Sequence, residues 1–262
     1  SGSDASNMRC RAMLSEDGSH YVINGKKSWI TSGPVAKYIM LFAMTDPDKG
    51  PKGVSCFMID TEREGFHRGK TEPKLGIRAS STCEVILDNC EIPGDRLLGE
   101  VGKGYKIAIE TLNEGRIGIG AQMVGVSQGA LDAAVAYARD RRQFGKSIGS
   151  FQGMQFLLAD MAMKVEASRA LIYATAKHID ANPKIRSTIY SAMSKCFASD
   201  VAMSVTTDAV QVFGGSGYMR DYPIEKYMRD AKITQIYEGT NQIQREEISK
   251  ILIGEHISGQ DK

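Results

Sequence analysis

The sequence has no run of about 18 apolar residues, the length a membrane-spanning helix needs, so no transmembrane span is expected. It also has almost no charge imbalance. Thirty-three Lys plus Arg against 31 Asp plus Glu leave +2, too balanced to argue for nucleic acid or an anionic membrane surface as a partner. The five cysteines, Cys10, Cys56, Cys83, Cys90 and Cys196, are odd in number, scattered, and form no CxxC pair. They signal neither a disulfide framework nor a zinc site, no metal ligand set is expected, and a reducing compartment fits best. There is no internal repeat and no low-complexity tract. The opening Ser1-Gly2-Ser3-Asp4 has no initiator methionine, signal peptide or transit peptide, and reads as a chain joined partway through a loop. What is present is a globular composition, 42% hydrophobic and 24% charged, in 262 residues, enough for one large domain or two ordinary ones.

The two parts of the chain follow different periodicities. From residue 1 to about 102, short apolar or alternating runs recur: His20-Tyr21-Val22-Ile23, Tyr38-Ile39-Met40-Leu41-Phe42-Ala43, Val54-Ser55-Cys56-Phe57-Met58-Ile59 and Cys83-Glu84-Val85-Ile86-Leu87. Turn residues punctuate them at Asn24-Gly25, Asp46-Pro47, Lys52-Gly53, Asp88-Asn89 and Pro93-Gly94, and Asn24-Gly25 is the favoured two-residue hairpin signal. Short strands at this spacing predict a small antiparallel barrel or sandwich rather than a parallel sheet with crossover helices. From about 103 onward the period changes. Leu157, Leu158, Met161, Val165, Ala167, Leu171 and Ile172 recur mainly at three- and four-residue intervals, as do Ile189, Met193, Cys196, Phe197, Val201, Val205 and Val210. Asn182-Pro183 reads as the turn between these stretches, Pro223 as the opening of a short helix, and residues 239–256 as an amphipathic helix. Long helices with short turns predict an antiparallel four-helix bundle. The expected fold is therefore α+β and multidomain: a β-barrel or sandwich domain over 1–102 and a helical-bundle domain over 103–262, joined near Gly99-Glu100-Val101-Gly102-Lys103-Gly104.

Each candidate motif has two readings on residue chemistry alone. Trp29, the only tryptophan, precedes Ile30-Thr31 at the end of a strand-like run. It is either a core residue at a barrel edge or an aromatic wall beside a flat ligand, with Thr31 offering a donor to that ligand's polar edge. The segment from Arg139 to Lys146 carries four cations in eight residues. They either complement a helix C-terminus or grip phosphate. Gln211-Val212-Phe213-Gly214-Gly215-Ser216-Gly217 lacks the Lys of a phosphate loop and follows a helix rather than a strand, so it reads as a helix C-cap with a flexible turn that can bring backbone amides near a ligand. Glu114 and Arg116 are two apart and do not face each other on a helix, so a solvated pair is the default. Glu238 lies in Gln235-Ile236-Tyr237-Glu238-Gly239-Thr240-Asn241-Gln242-Ile243-Gln244, with Thr240 as a possible N-cap. It is either an acid favoured near a helix N-terminus or a base held beside a reactive carbon.

Taken together and in order, Ser1-Gly2-Ser3-Asp4, Trp29-Ile30-Thr31, Arg141 to Gly145, Gln211 to Gly215 and Ile236-Tyr237-Glu238-Gly239-Thr240 resemble the acyl-CoA dehydrogenase family over essentially the whole chain. Leu75-Gly76-Ile77-Arg78-Ala79-Ser80-Ser81-Thr82 and Asn113-Glu114-Gly115-Arg116-Ile117-Gly118-Ile119 look most like its short/branched-chain members. The resemblance implies a flavoprotein oxidoreductase of fatty acid metabolism or branched-chain amino acid degradation. It would convert a short or 2-methyl-branched acyl-CoA thioester to its trans-2-enoyl-CoA and pass electrons to an electron-transferring flavoprotein. Glu238 matches the base that removes the Cα proton as Cβ gives a hydride to FAD, and its own amide would polarise the thioester carbonyl. Trp29, Ile30 and Thr31 match the segment along the isoalloxazine, and Thr240, Asn241 and Gln242 match further FAD contacts. Arg141, Gln152, Gln211, Val212, Phe213, Gly214 and Gly215 match groups that reach the FAD of a neighbouring subunit in a homotetramer. Ser3, Tyr105, Asn113, Glu114, Gly115, Arg116 and Gly239 match contacts to the CoA or acyl side.

The family also carries an N-terminal helical domain and a Thr-Glu-Pro-Gly flavin-binding stretch that would precede Ser1. The expectation is therefore a full-length dehydrogenase of the mitochondrial matrix or bacterial cytoplasm, with the 262-residue chain alone binding FAD weakly and turning over poorly. Rival expectations are an acyl-CoA oxidase, an enoyl-CoA reductase, and a non-catalytic structural or binding fragment.

Overall fold

The computed structural model describes residues 2–182 and 188–260, with side chains as far as Gly254. Ser1 of the opening motif and Pro183 of the expected Asn182-Pro183 turn lie outside the described residues. The chain divides into two compact units, Ser1–Thr111 and Leu112–Lys262. The expected α+β architecture is the one it adopts, a mainly antiparallel sheet followed by helices.

In the first unit, β1 (Arg11–Leu14), β2 (His20–Thr31), β3 (Tyr38–Met44), β4 (Val54–Asp60), β5 (Phe66–Arg68), β6 (Thr82–Pro93) and β7 (Leu97–Leu98) form one sheet in the order β5-β6-β2-β1-β3-β4-β7. Every pairing is antiparallel except β1 with β3, which meet in parallel at Arg11 and Met44. The sheet curls on itself. Tyr21 on β2 meets Phe57 on β4 edge-on at 4.9 Å, although two strands separate them in the sheet. Alternate residues point inward, as a half-buried strand requires, so Ile23, Phe57, Ile59 and Ile92 carry no exposed surface.

Two expected turns are instead parts of strands. Asn24-Gly25 lies inside β2 and Asp88-Asn89 inside β6, at a shared bulge. The inward residues of β6 are Cys83, Val85 and Leu87 and then Cys90 and Ile92, so the parity shifts by one residue at Asn89, whose φ is 46°. The two asparagines bond across it, Asn89 N to Asn24 Oδ1 at 2.8 Å and Asn24 Nδ2 to Asn89 Oδ1 at 3.2 Å. Gly25 is required because a Cβ there would lie 2.8 Å from the Cys10 Cα. The β1–β2 turn sits earlier, closed by Ser15 N to His20 O at 2.9 Å.

Between β3 and β4, Asp46-Pro47 and Lys52-Gly53 bracket a helical turn, as expected. The Gly53 carbonyl accepts from the backbone N–H of Thr45 at 2.8 Å and of Asp46 at 3.2 Å, and a Cβ on Gly53 would fall 1.7 Å from the Asp46 backbone oxygen. Gly53→Ala is therefore expected to lower the unfolding free energy by about 3 kcal/mol, the upper end for forced overpacking, because the obstacle is backbone. Urea denaturation followed by circular dichroism measures it, and a loss under about 1 kcal/mol would show that the loop simply shifts.

The second unit holds α1 (Gly104–Asp140) from Leu112 onward, a small hairpin of β8 (Arg142–Gln143) and β9 (Lys146–Ser147), and then α2 (Gln152–Ala181), α3 (Thr188–Phe213), α4 (Gly215–Tyr218), α5 (Ile224–Lys232) and α6 (Asn241–Gln260). The four long helices are α1, α2, α3 and α6. Gly120 abuts Ile172 and Gln128 bonds Arg169, so α1 and α2 run antiparallel. Thr175 bonds Ser194 at 2.8 Å and Lys164 bonds Ser204 at 2.9 Å, which makes α2 and α3 antiparallel too.

Helix α3 is buried on most sides, which its Ala, Ser and Thr content permits: small residues let neighbours approach, and the hydroxyls turn back onto the helix. Thr206 Oγ1 bonds the Ala202 carbonyl at 2.6 Å, for example. Among the described residues no helix is long and apolar enough to cross a membrane.

Candidate functional site

Glu238 sits in the turn that joins α5 to α6. After α5 a single helical turn, Ile233–Gln235, carries the chain to Ile236, and Thr240 caps α6 by accepting from the Ile243 N–H at 3.2 Å, as the sequence suggested. Between them Glu238 has φ 56° and Gly239 has φ 83°. Glycine adopts that conformation freely. A glutamate pays about 1–3 kcal/mol for it, so the surroundings must hold it there.

They do so through the backbone. Gln244 Nε2 donates to the carbonyls of Glu238 and Gly239, 3.0 Å each. Lys195, with no exposed surface, donates to the Gly239 carbonyl at 2.7 Å and to Asn241 Oδ1 at 2.9 Å. The Asn241 amide donates in turn to Ser199 Oγ at 2.8 Å and Asp200 Oδ1 at 2.7 Å. Asp200 is also bonded by Gln235 and Arg245.

The carboxylate is held against α1. A Cβ on Gly115 would lie 3.1 Å from Glu238 Oε2, so the missing side chain is what admits the acid. The next residue, Arg116, is only 5% exposed and donates through Nη1 to Asn113 Oδ1 at 3.1 Å. Glu114 is exposed. The solvated Glu114–Arg116 pair expected from sequence is thus corrected: residues two apart leave a helix on different sides, and Arg116's side is the inner one.

Among the described residues three buried side-chain polar atoms have no hydrogen-bond partner: Arg116 Nε, Glu238 Oε2 and Gln244 Oε1. An unpartnered buried polar atom costs about 1–3 kcal/mol, and all three belong to residues packed around the Glu238–Gly239 turn. Burial pushes the Glu238 carboxyl above its ordinary proton affinity, against the opposing charges of Arg116 and Lys195. Burial likewise lowers Arg116, and brings Lys195 down to about 8. A strained, half-buried carboxylate with raised proton affinity and a free oxygen has the properties of a general base.

Residues 1–90 match the acyl-CoA dehydrogenase middle domain and residues 102–253 the acyl-CoA dehydrogenase C-terminal domain. The chain belongs to the acyl-CoA dehydrogenase family. A probable acyl-CoA dehydrogenase of Mycobacterium tuberculosis, FadE25, is 57% identical over 96% of this chain and 64% of its own. A chain from the electron-transferring flavoprotein structure of Acidaminococcus fermentans superposes with a TM-score of 0.92 at 52% identity, over 96% of this chain and 65% of that one. Butyryl-CoA dehydrogenase of Megasphaera elsdenii gives 0.93 at 46% identity, over 97% and 65%. The chain therefore spans just under two thirds of the length of these three relatives.

The other candidate residues fall into separate groups. In the first unit Trp29 is 77% exposed with φ 55°, which removes the barrel-core reading: the β2–β6 register slips between Lys27 and Ile30 and turns the indole outward. Ile30 is half-buried, Thr31 and Ser3 are exposed, and Tyr105 is half-buried in the first turn of α1.

In the second unit Arg141 lines a groove of about 500 Å³ with Tyr137, Asp140, Phe213, Ser216 and Tyr222. Tyr137 and Phe213 stack there at 4.1 Å, with Tyr222 edge-on to both. The Gln211 to Gly217 segment ends α3 and turns at Gly214, φ 59°, as a helix C-cap should, while the Val212 side chain packs in the helical core. Gln152 is exposed at the start of α2. Thr240, Asn241 and Gln242 border a polar pocket of about 380 Å³ with Asp200, Gln235 and Arg245. The Asn241 side chain is spent on the internal network already described.

Sequence reasoning missed Lys195, Gln244, Tyr137 and Tyr222. Lys195 left one signal: it interrupts the apolar spacing of α3 immediately before Cys196.

Proposed function

We propose that the full protein dehydrogenates a short or 2-methyl-branched acyl-CoA to its trans-2-enoyl-CoA with FAD, and hands the electrons to an electron-transferring flavoprotein. The observation that carries this reading is the buried, unpartnered Glu238 Oε2 beside Gly115. In the proposed reaction that oxygen takes the proton from the substrate Cα. Desolvation makes it the stronger base, and the Arg116 and Lys195 charges keep it ionised. The Glu238 N–H would donate to the thioester oxygen as charge develops there. Gly239, Gly115, Asn113, Glu114 and Arg116 would border the acyl thioester, with Ser3 and Tyr105 on the CoA side.

The residues present fit a flavin. An outward-facing indole on a strained strand end suits a flat ring system, and a cation beside stacked aromatics suits a diphosphate joined to adenosine. Trp29, Ile30, Thr31, Thr240, Asn241 and Gln242 would hold FAD. Arg141, Gln152 and Gln211 to Gly215 would reach a second subunit's FAD in a homotetramer. When bound, FAD supplies the two-electron acceptor that no side chain provides.

The proposed domain division is 1–102 and 103–262. The butyryl-CoA dehydrogenase likeness supports a short acyl chain, and the match to a chain within an electron-transferring flavoprotein structure supports that acceptor. The proposed location is the matrix in a eukaryote or the cytoplasm in a bacterium.

The test is anaerobic mixing of full-length protein with straight and 2-methyl-branched acyl-CoAs, followed by flavin absorbance. Butyryl- and 2-methylbutyryl-CoA should bleach the flavin fastest, and an electron-transferring flavoprotein should restore turnover. No bleaching with any acyl-CoA would overturn the reading. Rapid peroxide formation in air would favour the oxidase instead.

A further inference from the structure

Lys195 is an uncommon residue in the protein's interior. A lysine with no exposed surface must lose most of its hydration, and proteins keep one only where its charge is used or its three donors are matched. Here two donors are matched, and both acceptors belong to the segment that presents the candidate base: the Gly239 carbonyl at 2.7 Å and Asn241 Oδ1 at 2.9 Å. The partners lie 44 and 46 positions further along the chain, so the contact pins α3 to the α5–α6 turn. No apolar residue could do this. The Gly239 carbonyl points into the protein because Glu238 and Gly239 are both left-handed, and it needs donors there.

We propose that Lys195 is a positioning residue for Glu238, its ammonium fixing the left-handed Glu238–Gly239 backbone and setting a buried positive charge beneath the turn that carries the carboxylate. The inference rests on Glu238 being the base.

Among the described residues the charged and titratable groups around this pair come from three helices and the turn. Arg116 comes from α1, Cys196 and Asp200 share α3 with Lys195, Glu247 faces Arg116 and Arg245 bonds Asp200 from α6, and Tyr237 precedes Glu238. Arg116 and Lys195 are the positive charges that favour the ionised acid, and burial opposes them. Lys195 keeps its proton only up to about pH 8, so its charge is present at neutral pH and fades above it.

Two variants separate the hydrogen bond from the charge. Lys195→Met removes both; Lys195→Gln keeps a donor for the Gly239 carbonyl without the charge. Infrared titration of full-length protein follows the protonated Glu238 carboxyl band, assigned by its loss in Glu238→Gln. Both lysine variants should bind the Glu238 proton about tenfold more tightly or more, as expected for losing a neighbouring opposite charge. Both should also lose an alkaline inflection near pH 8. In turnover measured well above the Glu238 midpoint, Lys195→Met should stay about tenfold or more below wild type while Lys195→Gln recovers most of the rate.

An unmoved Glu238 midpoint in a folded variant overturns the proposal. Failure of both variants to fold also counts against it, because Lys195 would then serve packing alone. If instead Glu238→Gln turns over at the wild-type rate, the base reading fails, while the infrared shift still reports on the Lys195–Glu238 coupling.

Discussion

Glu238→Gln should lower the rate of flavin reduction by acyl-CoA by about 10²–10⁴-fold while leaving thioester affinity nearly unchanged. The substitution keeps the length and shape of the side chain and leaves Lys195 and Gln244 their carbonyl partners, since both bond the backbone at residues 238 and 239. What disappears is a lone pair basic enough to take the Cα proton. The pH profile gives an independent signature. Wild-type flavin reduction should rise with pH as Glu238 loses its proton, with a midpoint above the ordinary carboxylate value of 4.5, because burial raises that group; the glutamine variant should show no such rise.

Stability should move the other way. A carboxyl whose folded-state pKa is raised binds its proton more tightly when folded, so folding stability falls as pH climbs from 4.5 to the raised value. Glu238→Gln should therefore melt at a higher temperature than wild type at neutral pH, with the difference vanishing in acid. Flavin reduction at the wild-type rate would remove Glu238 from the mechanism, whatever the melting curves show.

The parts of this molecule legible in its sequence are those written as local periodicity. The apolar runs at 20–23, 38–43, 54–59 and 83–87 lie within β2, β3, β4 and β6, and the change of period near 103 marks the start of α1. Strands β1, β5 and β7 were not visible, because two to four residues carry too little pattern. Asn24-Gly25 was misread for a physical reason: a two-residue hairpin and a bulge both favour Asn and Gly, and only the Asn24–Asn89 pairing distinguishes them. Trp29 stayed ambiguous until the β2–β6 register slip showed which way it faces.

The site followed the same rule. Glu238, Gly239 and Thr240 are contiguous, and together they resemble a family motif, so they are readable in the sequence. Arg116 was readable as a cation but not as a buried one, since spacing says that it and Glu114 diverge but not which of them points inward. Lys195 and Gln244 act on backbone carbonyls of the Glu238–Gly239 turn, and a carbonyl leaves no trace in a sequence.

Gly115 should separate the stability of the protein from its chemistry. In the interior of α1 a glycine costs about 0.8–1.0 kcal/mol relative to alanine, so on helix formation alone Gly115→Ala should stabilise. Its Cβ, however, would stand 3.1 Å from Glu238 Oε2, 3.4 Å from Cδ and 3.5 Å from Oε1. The obstacle is the far end of a side chain, so the fold can accommodate it by moving the carboxylate a few tenths of an ångström. That small shift should leave melting temperature equal or higher and flavin reduction about tenfold slower. Gly115→Val should push the acid further and slow reduction by about 10²-fold, the scale expected when a reacting group is misplaced by about 1 Å. Gly118 supplies the control, because it lies in the same helix and a Cβ there meets nothing within 4 Å. Gly118→Ala should gain the helix term and keep the full rate. Solvent exchange of the substrate's Cα hydrogen, measured alongside flavin absorbance, reads the proton transfer directly and should fall in step with flavin reduction in both Gly115 variants. Wild-type exchange in Gly115→Val would mean that the proton leaves by a route that does not pass through the Glu238 carboxylate in its place beside α1.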